Sequence, residues 1–179
     1  KRMIQPLAYI HPQAKIAETV VIEPFVTIYK DVVIGEGTWI GSNVTIMEGA
    51  RIGKNCRIFP GAVVSAPPQD LKYKGEASTV TIGDNTIIRE CVTLNRGTAL
   101  DKNTTTIGSN CLLMAYVHIA HDCVIGNNVI IANSVQLAGH IEVQDYAFIG
   151  GASAVHQFVS IGAHSIISGG SLVRKDVPP

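Results

Sequence analysis

All but one of the six histidines lie in the second half of the chain, and two of them stand close together before an acid. In the string HIAHDC, His118 precedes His121 by three residues and Asp122 follows His121 directly. A carboxylate next to an imidazole favours the charged ring and fixes its tautomer, so this pair can supply a general base. Gly139 comes farther on, and a glycine can bring its backbone N–H close to a reacting carbonyl with no side chain in the way. A base beside a backbone donor predicts acyl transfer to a hydroxyl group.

A six-residue period carries these residues. Aliphatic side chains recur from Ile10 to Val64 without a slip, return at 82–94, and run again from Ile107 to Val173. Neither the helical period nor simple alternation gives this spacing, whereas hexapeptide periods are typical of β-helices. Each hexad supplies a short strand and a turn, with the aliphatic residue pointing inward. We therefore predict an all-β parallel β-helix, a solenoid of about eight or nine coils with roughly 18 residues and three hexads per coil.

Residues one coil apart in such a solenoid stack on one another. This spacing puts His121 beside Gly139 and Gly139 beside Gln157. Asp122 falls beside His140 in the same way. The sequence therefore predicts a surface of imidazole, carboxylate and amide groups along one part of the prism.

The period fails twice, at 65–79 and at about 99–106. The first break reads SAPPQDLKYKGEAST, and its Pro67-Pro68 pair forbids regular strand pairing. The second break is polar throughout most of its length. We predict that both are loops that leave the prism, and that the first, which is dense in reactive side chains, is functional.

Bulk properties exclude several classes of function. The formal net charge is zero, so nothing draws the whole chain to nucleic acid or to a membrane surface. No apolar run reaches the length of a membrane span. The sequence also lacks the strand–GxGxxG–helix unit that would predict a dinucleotide cofactor. Three of the four cysteines, Cys56, Cys111 and Cys123, occupy small inward positions of their hexads, and Cys91 lies next to one. This usage predicts reduced structural thiols in a cytoplasmic protein.

Seven strings, in order along the chain, resemble the UDP-N-acetylglucosamine O-acyltransferases of lipid A biosynthesis, a family of hexapeptide-repeat acyltransferases. They are QDLKYKG (69–75), NRGT (95–98), LLMAYVHIAHDCVIG (112–126), LAGH (137–140), IGG (149–151), AVHQF (154–158) and IGAH (161–164). The resemblance implies that the β-helix is left-handed, which the period alone does not supply. It also implies a cytoplasmic homotrimer with active sites in clefts between subunits.

The resemblance further implies a reaction and its residues. An R-3-hydroxyacyl chain moves from acyl carrier protein to the glucosamine 3-hydroxyl of UDP-N-acetylglucosamine, the first step of lipid A biosynthesis. His121 is the implied general base, Asp122 orients it, and the Gly139 N–H stabilises the oxyanion. Gly169 lies where the family closes its acyl groove, which implies a long acyl chain. No metal or other cofactor is implied, and the implied substrate-binding residues are Gln69, Asp70, Lys72, His118, His140, His156 and Gln157.

Two departures from the family stand out. Asn95 replaces a histidine that family members often carry before the Arg-Gly-Thr string. The family also continues into a C-terminal helical domain, which we expect to be absent from this chain, leaving residues 1–179 as one β-helix domain.

Other functions remain open at the level of sequence. A related hexapeptide N- or O-acyltransferase could use a 3-amino sugar acceptor or a coenzyme A donor. A zinc carbonic anhydrase-like trimer would need three histidine ligands, and the spacing of His118 and His121 supplies two without a matched third. A purely structural prism would not need the histidine cluster.

Overall fold

The computed structural model describes residues 3–179, and all regular structure in that range is β-strand. The strands are Met3–Ile4 (β1), Tyr9–Ile10 (β2), Lys15–Ile16 (β3), Val21–Ile22 (β4), Thr27–Ile28 (β5), Val33–Ile34 (β6), Trp39–Ile40 (β7), Thr45–Ile46 (β8), Ala50–Ile52 (β9), Arg57–Ile58 (β10), Val63–Ala66 (β11), Thr79–Ile82 (β12), Ile87–Ile88 (β13), Thr93–Asn95 (β14), Thr104–Ile107 (β15), Leu112–Leu113 (β16), His118–Ile119 (β17), Val124–Ile125 (β18), Ile130–Ile131 (β19), Gln136–Leu137 (β20), Glu142–Val143 (β21), Phe148–Ile149 (β22), Ala154–Val155 (β23), Ser160–Ile161 (β24), Ile166–Ile167 (β25) and Leu172–Val173 (β26). No helix in this range has the length and apolarity needed to cross a membrane.

The strands form three parallel sheets that are the three sides of a prism. Every third strand belongs to the same sheet, so that β1, β4 and β7 lie side by side, and the sheets contain 9, 9 and 8 strands. Away from the insertions, neighbouring strands pair with residues one coil apart, as where His118 lies opposite Gln136 and Ile119 opposite Leu137. The predicted parallel β-helix of eight or nine coils is therefore confirmed.

The core is a column of aliphatic side chains along the prism axis. Ile28, Ile46 and Ile119, each the second residue of its strand, are fully buried, and so are Val44 and Val117 two positions earlier. Side chains alternate along a strand, so both of these positions face inward while the residue between them faces outward. Burying one such aliphatic side chain contributes about 1.5–3 kcal/mol. The repeated core therefore fixes the register from coil to coil.

Tight corners join the strands, and asparagine occupies one edge of the prism repeatedly. Asn55, Asn85, Asn110 and Asn128 follow one another up this edge, with φ between 54° and 58°. Asparagine tolerates this left-handed conformation better than most residues. The corners therefore need neither proline nor long loops.

Three of the four cysteines behave as small core residues. All four are free, and Cys56, Cys111 and Cys123 are buried. Burial raises the pKa of the Cys123 thiol to about 12. The prediction of unbridged structural thiols is confirmed.

Two insertions interrupt the coils. Ile58 pairs with Ile88 rather than with Glu76, so twelve extra residues leave the ladder, and Ile82 pairs with Ile107 rather than with Leu100, so seven more do. Ser65, Ala66, Thr79 and 104–106 continue the strands. The segments outside strands are consequently 67–78, the first loop, and 96–103, the second loop, whereas 65–79 and about 99–106 were expected.

Candidate active site

Three corners of successive coils bring the predicted site residues together. His121 follows β17 and His140 follows β20, while Phe158 follows β23, and these strands are neighbours in one sheet. The His140 N–H donates to the His121 carbonyl at 3.1 Å, and the Phe158 N–H donates to the Gly139 carbonyl at 3.2 Å. The stacking predicted from the sequence is therefore present.

His121 is held by the acid that follows it. Its Nδ1 lies 2.9 Å from Asp122 Oδ2, and the Asp122 side chain is fully buried. An ionised carboxylate only accepts hydrogen bonds, so Nδ1 carries the proton. This tautomer leaves the Nε2 lone pair of His121 free to take a proton from a substrate.

Asp122 has its own support in the second loop. The Thr98 N–H donates to Asp122 Oδ1 at 3.0 Å, and the Thr98 hydroxyl donates to Oδ2 at 2.5 Å. From the other side, the Asp122 N–H donates to Thr105 Oγ1 at 2.9 Å. A buried carboxylate needs such donors because it has lost its water. Thr98 lies in the NRGT string, but nothing in the repeat pattern predicted its pairing with Asp122.

The first loop approaches the open face of His121. Asp70 Oδ2 lies 3.7 Å from His121 Nε2, and the backbone N–H of Lys72 donates to Asp70 Oδ1 at 3.0 Å. Asp70 and Lys72 line a cleft of ≈ 280 Å³ with Thr98, Leu100, Asp101, His140 and Phe158. A substrate in this cleft would meet the loop and His140, and His121 lies next to the cleft, 3.7 Å from Asp70.

Contacts between the two loops fix the position of Asp70. The guanidinium of Arg96 in the second loop donates to the Tyr73 hydroxyl at 3.1 and 3.3 Å, and also to the Ser65 carbonyl at 3.0 Å. The Ala99 N–H donates to the Glu76 carboxylate at 3.1 Å. The first loop is therefore bound to the second rather than hanging free.

His140 closes the cluster from the next coil. Its ring is perpendicular to that of His121, with planes at 86° and centroids 4.8 Å apart, and it stacks on Phe158 at 4.4 Å. Its Nδ1 is hydrogen-bonded to Asp101 Oδ2 at 2.5 Å. Sequence reasoning missed both partners. Phe158 could have been found because it lies one coil beyond His140, whereas Asp101 lies in a loop where the period gives no signal.

Gly139 lies one coil beyond His121 and packs against its ring. A Cβ at this position would be 2.7 Å from His121 Cε1 and 2.8 Å from Nε2, so only glycine fits without moving the ring. Within residues 3–179 its N–H donates to no protein acceptor. The residue packed against the His121 ring therefore has a backbone N–H without an acceptor in that range.

Comparisons with known proteins agree with this geometry. The bacterial transferase hexapeptide (six repeats) family matches residues 31–66 and 104–139. The acyl-[acyl-carrier-protein]–UDP-N-acetylglucosamine O-acyltransferase of Aliivibrio fischeri (strain MJ11) is 60% identical over 183 residues, which cover 99% of this chain and 70% of the relative. The chain belongs to this O-acyltransferase family.

Solved structures of the family have the same fold. The LpxA of Acinetobacter baumannii has a TM-score of 0.97 at 47% identity, over 98% of this chain and 68% of that one. The LpxA of Bacteroides fragilis 9343, a UDP-N-acetylglucosamine acyltransferase, has a TM-score of 0.96 at 53% identity, over 98% and 69% of the two chains. The family resemblance and the left-handed parallel β-helix predicted from it are confirmed.

Five residues implied by the family lie outside the central cluster. His118 faces outward from β17, where its Nδ1 is hydrogen-bonded to Thr93 Oγ1 at 2.7 Å and burial lowers the pKa of its imidazole. The other four are exposed; they are Gln69, His156, Gln157 and Gly169. The side chains of the first three make no hydrogen bond within the described part of the chain. Their roles stay predictions.

The cluster also has the composition of a metal site. In residues 3–179, His121, Asp122 and His140 offer ligand atoms within 4.8 Å of one another. Both Nδ1 atoms already contact carboxylates, however. The second imidazole that the zinc alternative needed, His118, is bonded to Thr93 instead. The Nδ1 atoms of the cluster are thus engaged by its own carboxylates, and the absence of a metal stays a prediction.

Proposed function

We propose that the cleft around His121 transfers an R-3-hydroxyacyl chain from acyl carrier protein to the glucosamine 3-hydroxyl of UDP-N-acetylglucosamine, the first step of lipid A biosynthesis. The chain is an acyltransferase of the family whose A. fischeri member carries both substrates in its name. The observation that carries the proposal is the His121–Asp122 pair at 2.9 Å, which leaves Nε2 open next to Gly139, whose N–H donates to no protein acceptor in residues 3–179.

The arrangement suits direct transfer. His121 Nε2 takes the proton of the 3-hydroxyl as its oxygen attacks the thioester carbonyl of the donor. The negative charge that develops on the carbonyl oxygen is stabilised by the Gly139 N–H, and Asp122 stabilises the imidazolium. Collapse of the tetrahedral intermediate breaks the C–S bond, and the departing thiolate of the carrier protein receives the proton from His121. The products are the sugar ester and the free thiol, with no covalent enzyme intermediate.

Substrate binding is proposed to involve the first loop and the next coils. Gln69, Asp70 and Lys72 approach the cleft from the loop, and His140 closes it. The exposed side chains of His156 and Gln157, which lie two coils beyond Ala120 and His121, have unused hydrogen-bonding groups. Gly169 leaves open the space that a side chain would fill, which favours a long acyl chain.

Assembly and location are also proposals. A homotrimer with clefts between subunits would give the exposed His156 and Gln157 a substrate or subunit to contact. Apolar side chains on the outer face of the first sheet support such an interface, since Ile130 is 37% and Ile166 is 77% exposed. The four free thiols are consistent with a reducing cytoplasm. Residues 1–179 are proposed to be the β-helix domain, and the family's C-terminal helical domain stays an expectation.

Product analysis by mass spectrometry tests the reaction. The protein is incubated with 3-hydroxyacyl carrier protein and UDP-N-acetylglucosamine, and in parallel with a 3-amino sugar acceptor or a 3-hydroxyacyl coenzyme A donor. An ester from the first pair, formed much faster than either other product, is expected. Faster amide formation, or preference for coenzyme A, would replace the proposal with the corresponding related acyltransferase.

A further inference from the structure

The second loop brings a carboxylate to His140 that the family resemblance did not predict. Asp101 Oδ2 lies 2.5 Å from His140 Nδ1, and the Lys102 ammonium lies 2.9 Å from the same oxygen. Burial opposes ionisation of Asp101, but the hydrogen bonds from Lys102 and His140 outweigh it and hold the pKa of this carboxyl below its ordinary value. Asp101 is therefore an ionised acceptor for the His140 ring.

A second carboxylate lies within reach of the same nitrogen. His140 Nδ1 is 4.0 Å from Asp122 Oδ2, the oxygen that already accepts the His121 ring proton. That oxygen also accepts the Thr98 hydroxyl at 2.5 Å. Because a carboxylate oxygen offers two lone pairs, a third donor from His140 would displace one of the existing two.

The remaining contacts of His140 do not decide which acid it binds. Phe158 stacks parallel to the ring, with an interplanar angle of 1°. Such a stack fixes the plane of the ring but is equally compatible with a half-turn about the Cβ–Cγ bond, which exchanges Nδ1 with Cδ2 in the same plane. The hydrogen bond to Asp101 is thus the contact that determines where Nδ1 points.

We propose that Asp101 is a positioning residue that binds the His140 Nδ1–H and so keeps His140 from competing with His121 and Thr98 for Asp122. The inference rests on the proposed function, because it takes His121 as the base that Asp122 must serve. Asp101 acts through His140 and does not touch the reacting atoms. The charged or titratable groups around this contact are Lys102 on its own loop, His121 and Asp122 on the coil below, and Asp70 and Lys72 on the first loop.

The test compares Asp101→Ala with Lys102→Ala in the full chain. Both substitutions remove the Asp101–Lys102 ion pair, but only the first removes the acceptor for His140. Nitrogen-15 NMR of the imidazoles at pH near 8 reports which ring nitrogen is protonated. Steady-state kinetics give kcat and KM, and thermal unfolding shows whether each variant is folded.

In the parent and in Lys102→Ala, His140 should carry its proton on Nδ1. In Asp101→Ala the resonances of His140 should move to the other tautomer, or those of His121 should shift as His140 turns to Asp122. Loss of one ordinary hydrogen bond corresponds to a fall in kcat of up to about tenfold, with a smaller change in KM.

Unchanged imidazole resonances in Asp101→Ala would overturn the inference. Equal losses of kcat in Asp101→Ala and Lys102→Ala would also overturn the inference. The loss would then come from the Asp101–Lys102 ion pair, which anchors the second loop, and not from the hydrogen bond to His140. The NMR result does not depend on turnover. A parent without activity would therefore count against the proposed function, and the imidazole resonances would still test the positioning role of Asp101.

Discussion

Asp122 is the residue on which the proposed base depends, and Thr98 is its principal donor. The Thr98 hydroxyl donates to the buried carboxylate at 2.5 Å, and Thr98 itself is only 2% exposed. Thr98→Val keeps the shape and the backbone N–H but removes this donor. Since hydrogen bonds to charged groups contribute about 1.5–3 kcal/mol, unfolding free energy should fall by about that amount, and kcat should fall with it.

Thr98→Ser is the matched control because it retains the hydroxyl. Urea unfolding and steady-state kinetics of both variants make the comparison. A valine variant as stable and active as the serine variant would mean that Asp122 does not need the hydroxyl.

His118 predicts how stability depends on pH. Burial lowers the pKa of this imidazole from its ordinary 6.5 in the folded state. The unfolded chain therefore binds the proton first as the pH falls, so this residue reduces stability below about pH 6.5 and has no such effect above it. His118→Gln should remove part of the loss of unfolding free energy between about pH 6.5 and 5.

The exposed His164 supplies the comparison for this experiment, since His164→Gln removes a histidine that makes no side-chain hydrogen bond in residues 3–179. Chemical unfolding at several pH values measures both variants. Parallel curves for the parent and His118→Gln would contradict the assigned effect of burial.

At this scale the sequence predicted what the period controls. His121, Gly139 and His140 were placed together because stacking depends only on their spacing along the coils. Asp101 and the Thr98–Asp122 bond could not be found, because the path of an inserted loop depends on side-chain contacts that have no period. The prediction that Asp70 would line the cleft came only from the family resemblance and not from the period.

At the scale of elements, hydrogen bonds from the Arg96 guanidinium to the Tyr73 hydroxyl connect the two loops. We call this contact the clamp. Tyr73→Phe removes the acceptor for Arg96 and the donor to the Glu76 carbonyl, which lies 2.9 Å from the Tyr73 hydroxyl. Each ordinary hydrogen bond contributes about 0.5–1.5 kcal/mol. We expect faster amide hydrogen exchange across 67–78 and a lower kcat, with little change in the melting temperature of the prism.

Tyr116→Phe is the control, because Tyr116 lies at an exposed corner away from the loops and is 62% exposed. Hydrogen exchange followed by mass spectrometry measures both variants. If exchange in the first loop is the same in Tyr73→Phe as in the parent, the clamp does not hold the loop.

The turn between β25 and β26 bears on acyl-chain length. A Cβ at Gly169 would lie 3.2 Å from the Gly151 carbonyl oxygen, a close contact that a small shift can relieve. Gly169→Met should therefore fold and fill part of the open space, which should move the preference toward shorter acyl donors. Competition between donors of different length, with products measured by mass spectrometry, gives the profile.

Asn133 lies two coils below Gly169 on the same edge, and Asn133→Met is the matched control. Its chain-length profile should equal that of the parent. An unchanged chain-length profile in Gly169→Met would contradict the prediction that Gly169 lies at the closed end of the acyl groove.

The whole molecule shows which part of a fold a strict repeat specifies. One aliphatic residue in each hexad was enough to predict three parallel sheets and the number of coils, because each coil contacts only its neighbours. The period could not predict that the β-helix is left-handed, since right-handed coils would bury the same residues. Nor could the period predict the lengths of the two insertions. A loop that leaves the strand ladder can rejoin it at any hexad whose aliphatic residue restores the core, as at Ile88 and Ile107.

The measurement that tests the central claim most directly is ester formation by His121→Ala, compared with the parent and with His11→Ala as a histidine outside the cluster. Loss of a general base should lower kcat at least about 10²-fold, while His11→Ala should retain the parent rate. Melting temperatures establish that all three proteins are folded. An active parent with that loss would support both the reaction and the base, whereas a His121→Ala protein that still forms the ester at the parent rate would contradict the account.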